Sequence, residues 1–272
     1  LNKVQTDDAR NYNLNDYLNG TAVVSGQPIS TFYSYKFLGL NPQNGAPMFD
    51  DWEDRWHLLQ GKTLDEVVPM ILVNSGTRDP KFSGDLNNTF TYKNWSLSLN
   101  FSYSLGSKVR LFEMYGPIIN GISAAANVRE EFLDRWQVPG DEKYTVYPLI
   151  ISPSSPDYEH YRLHYSAPQR AVGPNSGVPA FANNVWQMYD DSDLRVVSGN
   201  YLKLQSLSFS YRLNDRLLRK TPFTQLSISF NTHNCFTISA KELRGQDPSQ
   251  AGFADAGLSI RPSYTIGLNV SF

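Results

Sequence analysis

Polar and apolar residues alternate strictly along several stretches of this chain. Trp95, Leu97, Leu99, Phe101, Tyr103 and Leu105 are separated by Ser96, Ser98, Asn100, Ser102 and Ser104, all small and polar. A period of two over eleven residues predicts a strand with one apolar and one polar face. At the end of the chain Tyr264, Ile266, Leu268, Val270 and Phe272 alternate with Thr265, Gly267, Asn269 and Ser271. Leu226, Ile228 and Phe230 do the same against Ser227, Ser229 and Asn231. Between Phe82 and Tyr92, Leu86, Phe90 and Tyr92 share one face, while Ser83, Asp85, Asn87, Thr89 and Thr91 share the other. The predicted strands are 82–92, 95–105, 201–213, 223–238 and 262–272. Ile29–Leu38 and a short Thr21–Ser25 strand are placed upstream, joined by a turn at Gly26-Gln27-Pro28.

A soluble sandwich alternates in the same way, so strand length and strand ends carry the distinction. Strands of about eleven residues exceed the usual five or six and match a tilted crossing of a bilayer. Aromatics sit near strand ends: Tyr92 and Trp95 flank the turn Lys93-Asn94, and Tyr103, Tyr211 and Tyr264 lie near other termini. Such rings form the interfacial girdles of membrane β-barrels. Lys203 has outward parity and is expected to snorkel from its strand toward lipid headgroups. Short turns alternate with long connections (Gly39 to Lys81, Gly106 to Asn200, Ser239 to Arg261), and all the long ones fall on one side. That asymmetry belongs to barrels with short periplasmic turns and long outer loops.

The long connections carry helix signals. Asn127 with Glu130 resembles a capping box, with Val128, Phe132 and Trp136 on one helical face up to Pro139-Gly140. Asp51–Leu59 predicts a second short helix, and Thr63 with Glu66 caps a third that Pro69 interrupts.

Composition narrows the function classes. The chain has 272 residues, with 24 Lys+Arg against 26 Asp+Glu, so its net charge of −2 gives no polybasic surface for nucleic acid. Its mean hydropathy is −0.41 and no apolar run reaches the length of a membrane-spanning helix, a test to which β-barrels are blind. Charged residues make up only 18% while Phe, Tyr and Trp number 15, 16 and 5, which favours an apolar surface. Cys235 is the single cysteine and cannot form an internal disulfide. The chain opens at Leu1 with neither Met nor a signal peptide, and is expected to be a piece of something longer.

Several ordered motifs then resemble one family, the SusC/RagA-type TonB-dependent outer-membrane transporters of Bacteroidetes. They are Gly26-Gln27-Pro28-Ile29 leading into Phe32-Tyr33-Ser34-Tyr35-Lys36-Phe37, then Gly39-Leu40-Asn41-Pro42, Asp79-Pro80-Lys81-Phe82-Ser83-Gly84, and Asn88-Thr89-Phe90-Thr91-Tyr92-Lys93. Phe132-Leu133-Asp134-Arg135-Trp136 with Pro139-Gly140-Asp141-Glu142, the run Arg195 to Leu204, Asn234 to Ile238, and the closing strand Pro262 to Phe272 complete the set. The resemblance implies an all-β fold: an antiparallel transmembrane β-barrel segment, about the last seven strands of a 22-stranded barrel, with short helices in long extracellular loops. Residues 1–272 would be the C-terminal portion of the barrel, without the plug domain or the TonB box. It further implies uptake of oligosaccharides or peptides across the cell outer membrane of a Gram-negative bacterium. The partners would be a SusD-like surface lipoprotein acting as lid, and TonB through the upstream plug; no cofactor is implied. Tyr264, Ile266, Leu268, Val270 and Phe272 resemble the C-terminal signal read by the barrel-assembly machinery. Two positions depart from the family. Cys235 replaces an aliphatic residue, and Asn41–Asp54 lacks the acidic, Gly-punctuated run of a calcium loop.

No grouping of Ser, His and acid suggests catalysis, so no enzyme is expected. His160 and His164 have i, i+4 spacing, but Pro153, Pro156 and Pro168 surround them and no metal site is assigned. Asp190, Asp191 and Asp193 lack the Gly and Glu of an EF-hand and are expected to form a solvated turn. Tyr115, Trp136, Tyr144, Tyr147, Tyr158, Tyr161, Trp186 and Tyr189 could stack on sugars, although packing of the loops explains them equally and no substrate residue is assigned. The competing reading is a soluble all-β carbohydrate-binding module that buries the same apolar faces between paired sheets.

Overall fold

A computed structural model describes residues 3–5, 12–50, 52–118, 128–150, 154–163, 171–172, 178–179, 185–249 and 261–272. Contacts divide the chain into two compact units, residues 1–79 with 108–197 and 252–255, and residues 80–107 with 198–251 and 256–272.

The first unit is built from short elements. Helix α1 (Leu14–Asn19) opens with a capping box, Asp16 N–H donating to Asn13 Oδ1 and Asn13 N–H to Asp16 Oδ2. It stops at Gly20, whose φ of +69° and close approach to Phe32 leave no room for a side chain. Strands β1 (Thr31–Tyr35), β2 (Phe37–Leu40) and β3 (Pro47–Phe49) follow. Then come a 3-10 turn (Glu53–Leu58), helix α2 (Leu64–Ile71) and strand β4 (Leu72–Thr77). β1 pairs with β4 and β2 with β3, both antiparallel. The expected strand Ile29–Leu38 is therefore two strands in two separate small sheets, and Thr21–Ser25 forms none. All five residues of β1 are buried, a two-sided burial that the alternation rule does not detect.

Helix α2 runs through Pro69 to Ile71, beyond the expected break. In so short a helix the ring removes one intrahelical hydrogen bond, and Val67, Val68 and Ile71 gain burial. The core around them holds Tyr17, Leu18, Tyr35, Leu59, Met114, Tyr115, Trp186, Met188 and Tyr189. The expected helix after Asn127 is a 3-10 turn over Glu130–Asp134, with Arg129 at its N-cap and Asn127 outside the described residues. Phe132 and Trp136 are buried while Val128 is exposed, so the three do not share a face. Trp136 instead packs against Gly45, which holds a φ of +65° and has the indole where a Cβ would stand.

The second unit centres on one five-stranded antiparallel sheet. Its strands are β5 (Phe82–Tyr92), β6 (Trp95–Leu105), β11 (Tyr201–Arg212), β12 (Gln225–Ser239) and β13 (Ser263–Ser271), in the order β13-β12-β11-β6-β5. The numbers between belong to short strands: β7 (Lys108–Arg110) pairs with β10 (Val196–Ser198), and β8 (Ala171–Val172) with β9 (Val178–Pro179). Helices α3 (Tyr158–Leu163) and α4 (Val185–Asp190) lie in the first unit, and α5 (Asp215–Leu218) lies in the connection between β11 and β12. Lys93-Asn94 makes the tight β5–β6 turn, Lys93 holding a φ of +51°. Registers place Phe82, Leu105, Tyr201, Ser239 and Ser263 toward one end of the sheet, where the connections 106–200 and 240–262 begin and end and where the connection from residue 39 ends.

Candidate functional site

The faces of the long sheet differ completely. Pairing aligns Leu86 with Phe101, Phe90 with Leu97, Leu97 with Phe209, Phe209 with Phe230, and Phe230 with Ile266, all on one face. Ser96, Ser98, Ser208, Ser210, Ser227 and Ser229 occupy the other. Apolar side chains stay open to the surroundings: Tyr92 is 69% exposed, Leu268 63% and Ile266 79%. A contiguous apolar face spanning five strands far exceeds what a protein surface tolerates in water, so it demands an apolar medium or partner. Eleven residues at about 3.3 Å each, tilted by roughly 45°, span about 25 Å, the height of a barrel's lipid-facing band. At the hairpin end Trp95 stacks on Phe209 at 5.1 Å and lies 4.1 Å from Tyr211, which concentrates rings there. The polar face satisfies itself sideways, with Ser208 Oγ donating to Asn231 Oδ1 at 2.6 Å and Thr89 Oγ1 3.0 Å from Ser98 Oγ.

Of the residues of the expected C-terminal signal, Tyr264, Ile266, Leu268 and Val270 lie on β13 and Phe272 follows its end. Tyr264, Ile266, Leu268 and Val270 face Thr232, Phe230, Ile228 and Leu226 across the β12–β13 ladder. Tyr264 stacks on Phe230, and Phe272 meets Phe223 edge-on at 5.2 Å. β13 ends the described sheet, with its outer backbone edge unpaired there.

Lys203 does not snorkel. It is 5% exposed, and its ammonium lies 2.8 Å from Asp247 Oδ2. A bulge explains the change of face. Gln205 on β11 opposes Asn234 and Cys235 on β12, and Asn234 takes a φ of +53°. Lys203 is thereby paired with Ser102 on the polar side. The phase break was visible in sequence, since Leu202 and Leu204 are followed by Leu207, Phe209 and Tyr211 with a step of three. Burial alone would raise the Asp247 carboxyl; hydrogen bonds from Lys203 and from Ser249 Oγ and N–H outweigh it and hold it below the usual range. Cys235 sits in the bulge, its sulfur 3.2 Å from Thr232 Oγ1.

The aspartates at 190, 191 and 193 form no solvated turn. Asp190 closes α4 in the core and accepts hydrogen bonds from Met114, Tyr115 and Gly116 N–H at 2.8–2.9 Å. Burial pushes its carboxyl up to about 6, against the pull of Arg195 and of those three donors. Asp191 pairs with Arg110 at 3.0 Å. Arg110 also donates to Leu18 O, Tyr33 O and Ser34 Oγ, so one guanidinium ties α1, β1 and β7 to the end of α4. Asp193 accepts from Lys36 Nζ and Phe37 N–H. These are intramolecular pins, and sequence reasoning missed them because every partner lies more than 70 residues away. Of the loop aromatics, Tyr115, Trp136, Tyr158, Trp186 and Tyr189 are buried, Tyr147 and Tyr161 pack partly against the core, and Tyr144 is 90% exposed. His160 lies edge-on to Tyr161, and His164 falls outside the described residues.

No family model matches the chain. It is 23% identical over 269 residues to the TonB-dependent receptor P3 of Formosa agariphila, an alignment covering 91% of this chain and 22% of that protein. Its fold is similar to solved structures of a RagAB peptide importer. The 'closed-closed' state gives a TM-score of 0.59 at 15% identity over 97% of this chain and 25% of that one. A second structure, of the RagAB peptide transporter, gives 0.56 at 15% identity over 92% and 24%. The chain thus spans about a quarter or less of the length of the relatives it matches. The relative's name is in line with the motif resemblance, and the structural likeness shows a shared, mostly β fold.

Proposed function

We propose that this chain is the C-terminal barrel portion of a SusC/RagA-type TonB-dependent importer in the outer membrane of a Gram-negative bacterium. The observation that carries the reading is the uncovered apolar face of the five-stranded sheet, backed by a serine-rich polar face. The apolar face meets lipid, and the polar face lines a lumen closed by a plug from another part of a longer protein. Two unpaired sheet edges in lipid would leave backbone groups unsatisfied, so the sheet continues into a closed barrel, of 22 strands in this reading. The chain supplies the last of those strands, including the five described. Segments Gly39–Lys81 and Gly106–Asn200 supply the extracellular surface that meets substrate and a SusD-like lipoprotein lid. The imported class is oligosaccharides or peptides, and TonB energises the plug. The strand from Tyr264 to Phe272 serves as the assembly signal.

The chain should be refolded with and without micelles of a neutral polyoxyethylene detergent, followed by circular dichroism and size-exclusion chromatography. Aggregation in water, with β-structure recovered only in micelles, is expected. A monodisperse β-protein melting cooperatively without detergent would overturn the membrane reading in favour of a soluble carbohydrate-binding module.

A further inference from the structure

A cavity of about 280 Å³ opens in the first unit, lined only by residues of that unit. Tyr17, Tyr33 and Val68 form its buried floor, while Tyr12, Val24 and Asp65 stand at its partly open rim. The rings run in a chain of edge-to-face contacts, Tyr12 to Tyr17 at 6.2 Å and 78°, Tyr17 to Tyr33 at 6.0 Å and 70°. Asp65, in the first turn of α2, accepts a hydrogen bond from the Tyr17 hydroxyl through Oδ1. Among the described residues no lysine, arginine or histidine pairs with Asp65, and none lines the cavity. Burial first, and then the Asp65 carboxylate, hold the Tyr17 hydroxyl protonated, so among the described residues the lining carries one negative charge and no positive one.

The geometry points to a binding site for a primary alkylammonium group, such as the end of a lysine-like side chain or a small aliphatic amine. The valines offer an apolar trough for the stem. At its end the free oxygen of Asp65 attracts the cation beside the tyrosine rings, a modest attraction at an exposed rim. A neutral sugar fits this chemistry less well. It wants one open ring face and several hydrogen-bonding groups, whereas these rings engage each other by their edges. The volume suits one side chain rather than an oligomer. The inference does not rest on the transport reading, because the site is complete within the first unit.

The test is a titration of the full chain, in neutral polyoxyethylene micelles or in water if it proves soluble, with n-butylammonium chloride at constant ionic strength. Valine methyl NMR reads the site through Val24 and Val68. Saturable shifts at those methyls are expected, with butan-1-ol binding at least about tenfold more weakly. Asp65→Asn should weaken butylammonium about tenfold, while Tyr17→Phe, which keeps the carboxylate, should stay within about threefold. Should Asp65→Asn fail to fold, Val24→Trp fills the cavity with the carboxylate intact and must abolish the shifts. Absence of saturation at these methyls, an equal response to butan-1-ol, or a response to glucose instead would overturn the assignment.

Discussion

The two units of this protein solve opposite problems with the same alphabet. The long sheet leaves its large side chains uncovered on one face and builds the other from serine, threonine and asparagine. The loop-built unit hides its aromatics in a core and stitches that core with buried charges, Arg110 with Asp191 and Asp190 with three backbone donors. One unit is ordered by a repeating local pattern and the other by a few long-range contacts. Damage should therefore be cheap and diffuse in the sheet, and costly and concentrated in the loop unit.

Arg110→Ala should break that contrast most sharply. It strands the partly buried carboxylate of Asp191 and removes the donors to the carbonyls of Leu18 and Tyr33, a loss of up to about 3 kcal/mol, the lower end for a broken buried pair. Hydrogen exchange should show the first unit opening while amides of β5, β6 and β11 stay protected; uniform loss across both units would refute the separation. Ile228→Lys, of comparable size, places an ammonium on the apolar face, where about 2–4 kcal/mol is expected in a bilayer. Ser229→Ala, one residue away on the polar face, should change little. Unfolding in liposomes compares the two, and equal effects would mean that the faces are not in different media.

The third prediction concerns pH. Asp190 titrates near 6 in the folded chain against an ordinary 3.8, so folding favours its protonated form. That stabilisation is complete below pH 3.8 and is lost as pH rises through 6, at most about 3 kcal/mol. Burial raises the neighbouring Asp191 as well, with the same sign. Near-UV circular dichroism of denaturant unfolding at pH 4 to 7 should show the loop unit weakening across that window. Asp190→Asn should flatten most of the slope, and an unchanged slope would remove Asp190 as its source.

What could be seen in sequence divides along the same line. Strands 82–92 and 95–105 stand where the alternation put them, and those near 201–212, 225–239 and 263–271 differ by a residue or two. Period two is a local property, and here nothing tertiary competes with it. The loop unit was far less legible. β1 is buried on both faces and lost its signature, and α2 tolerates Pro69 because its burial outweighs one missing bond. Three acids in a polar run looked like a surface turn until Met114, Tyr115, Gly116, Arg110 and Lys36 were brought to them by the fold. The misplacement of Lys203 had a different origin. Its cue is the three-residue step from Leu204 to Leu207, across which a single parity does not continue.

That step has a consequence for how the strands find their alignment. A ladder of alternating serines and large apolar residues is nearly periodic, so without a mismatch a slip of two residues between β11 and β12 would return every side chain to its own face at little cost. Alternation alone therefore encodes orientation but leaves position degenerate. The mismatch of Gln205 against Asn234 and Cys235 occurs once along the β11–β12 ladder, and beside it Lys203 reaches a single carboxylate, Asp247. Together they act as a keyway, admitting one alignment and turning a repetitive wall into an addressed one.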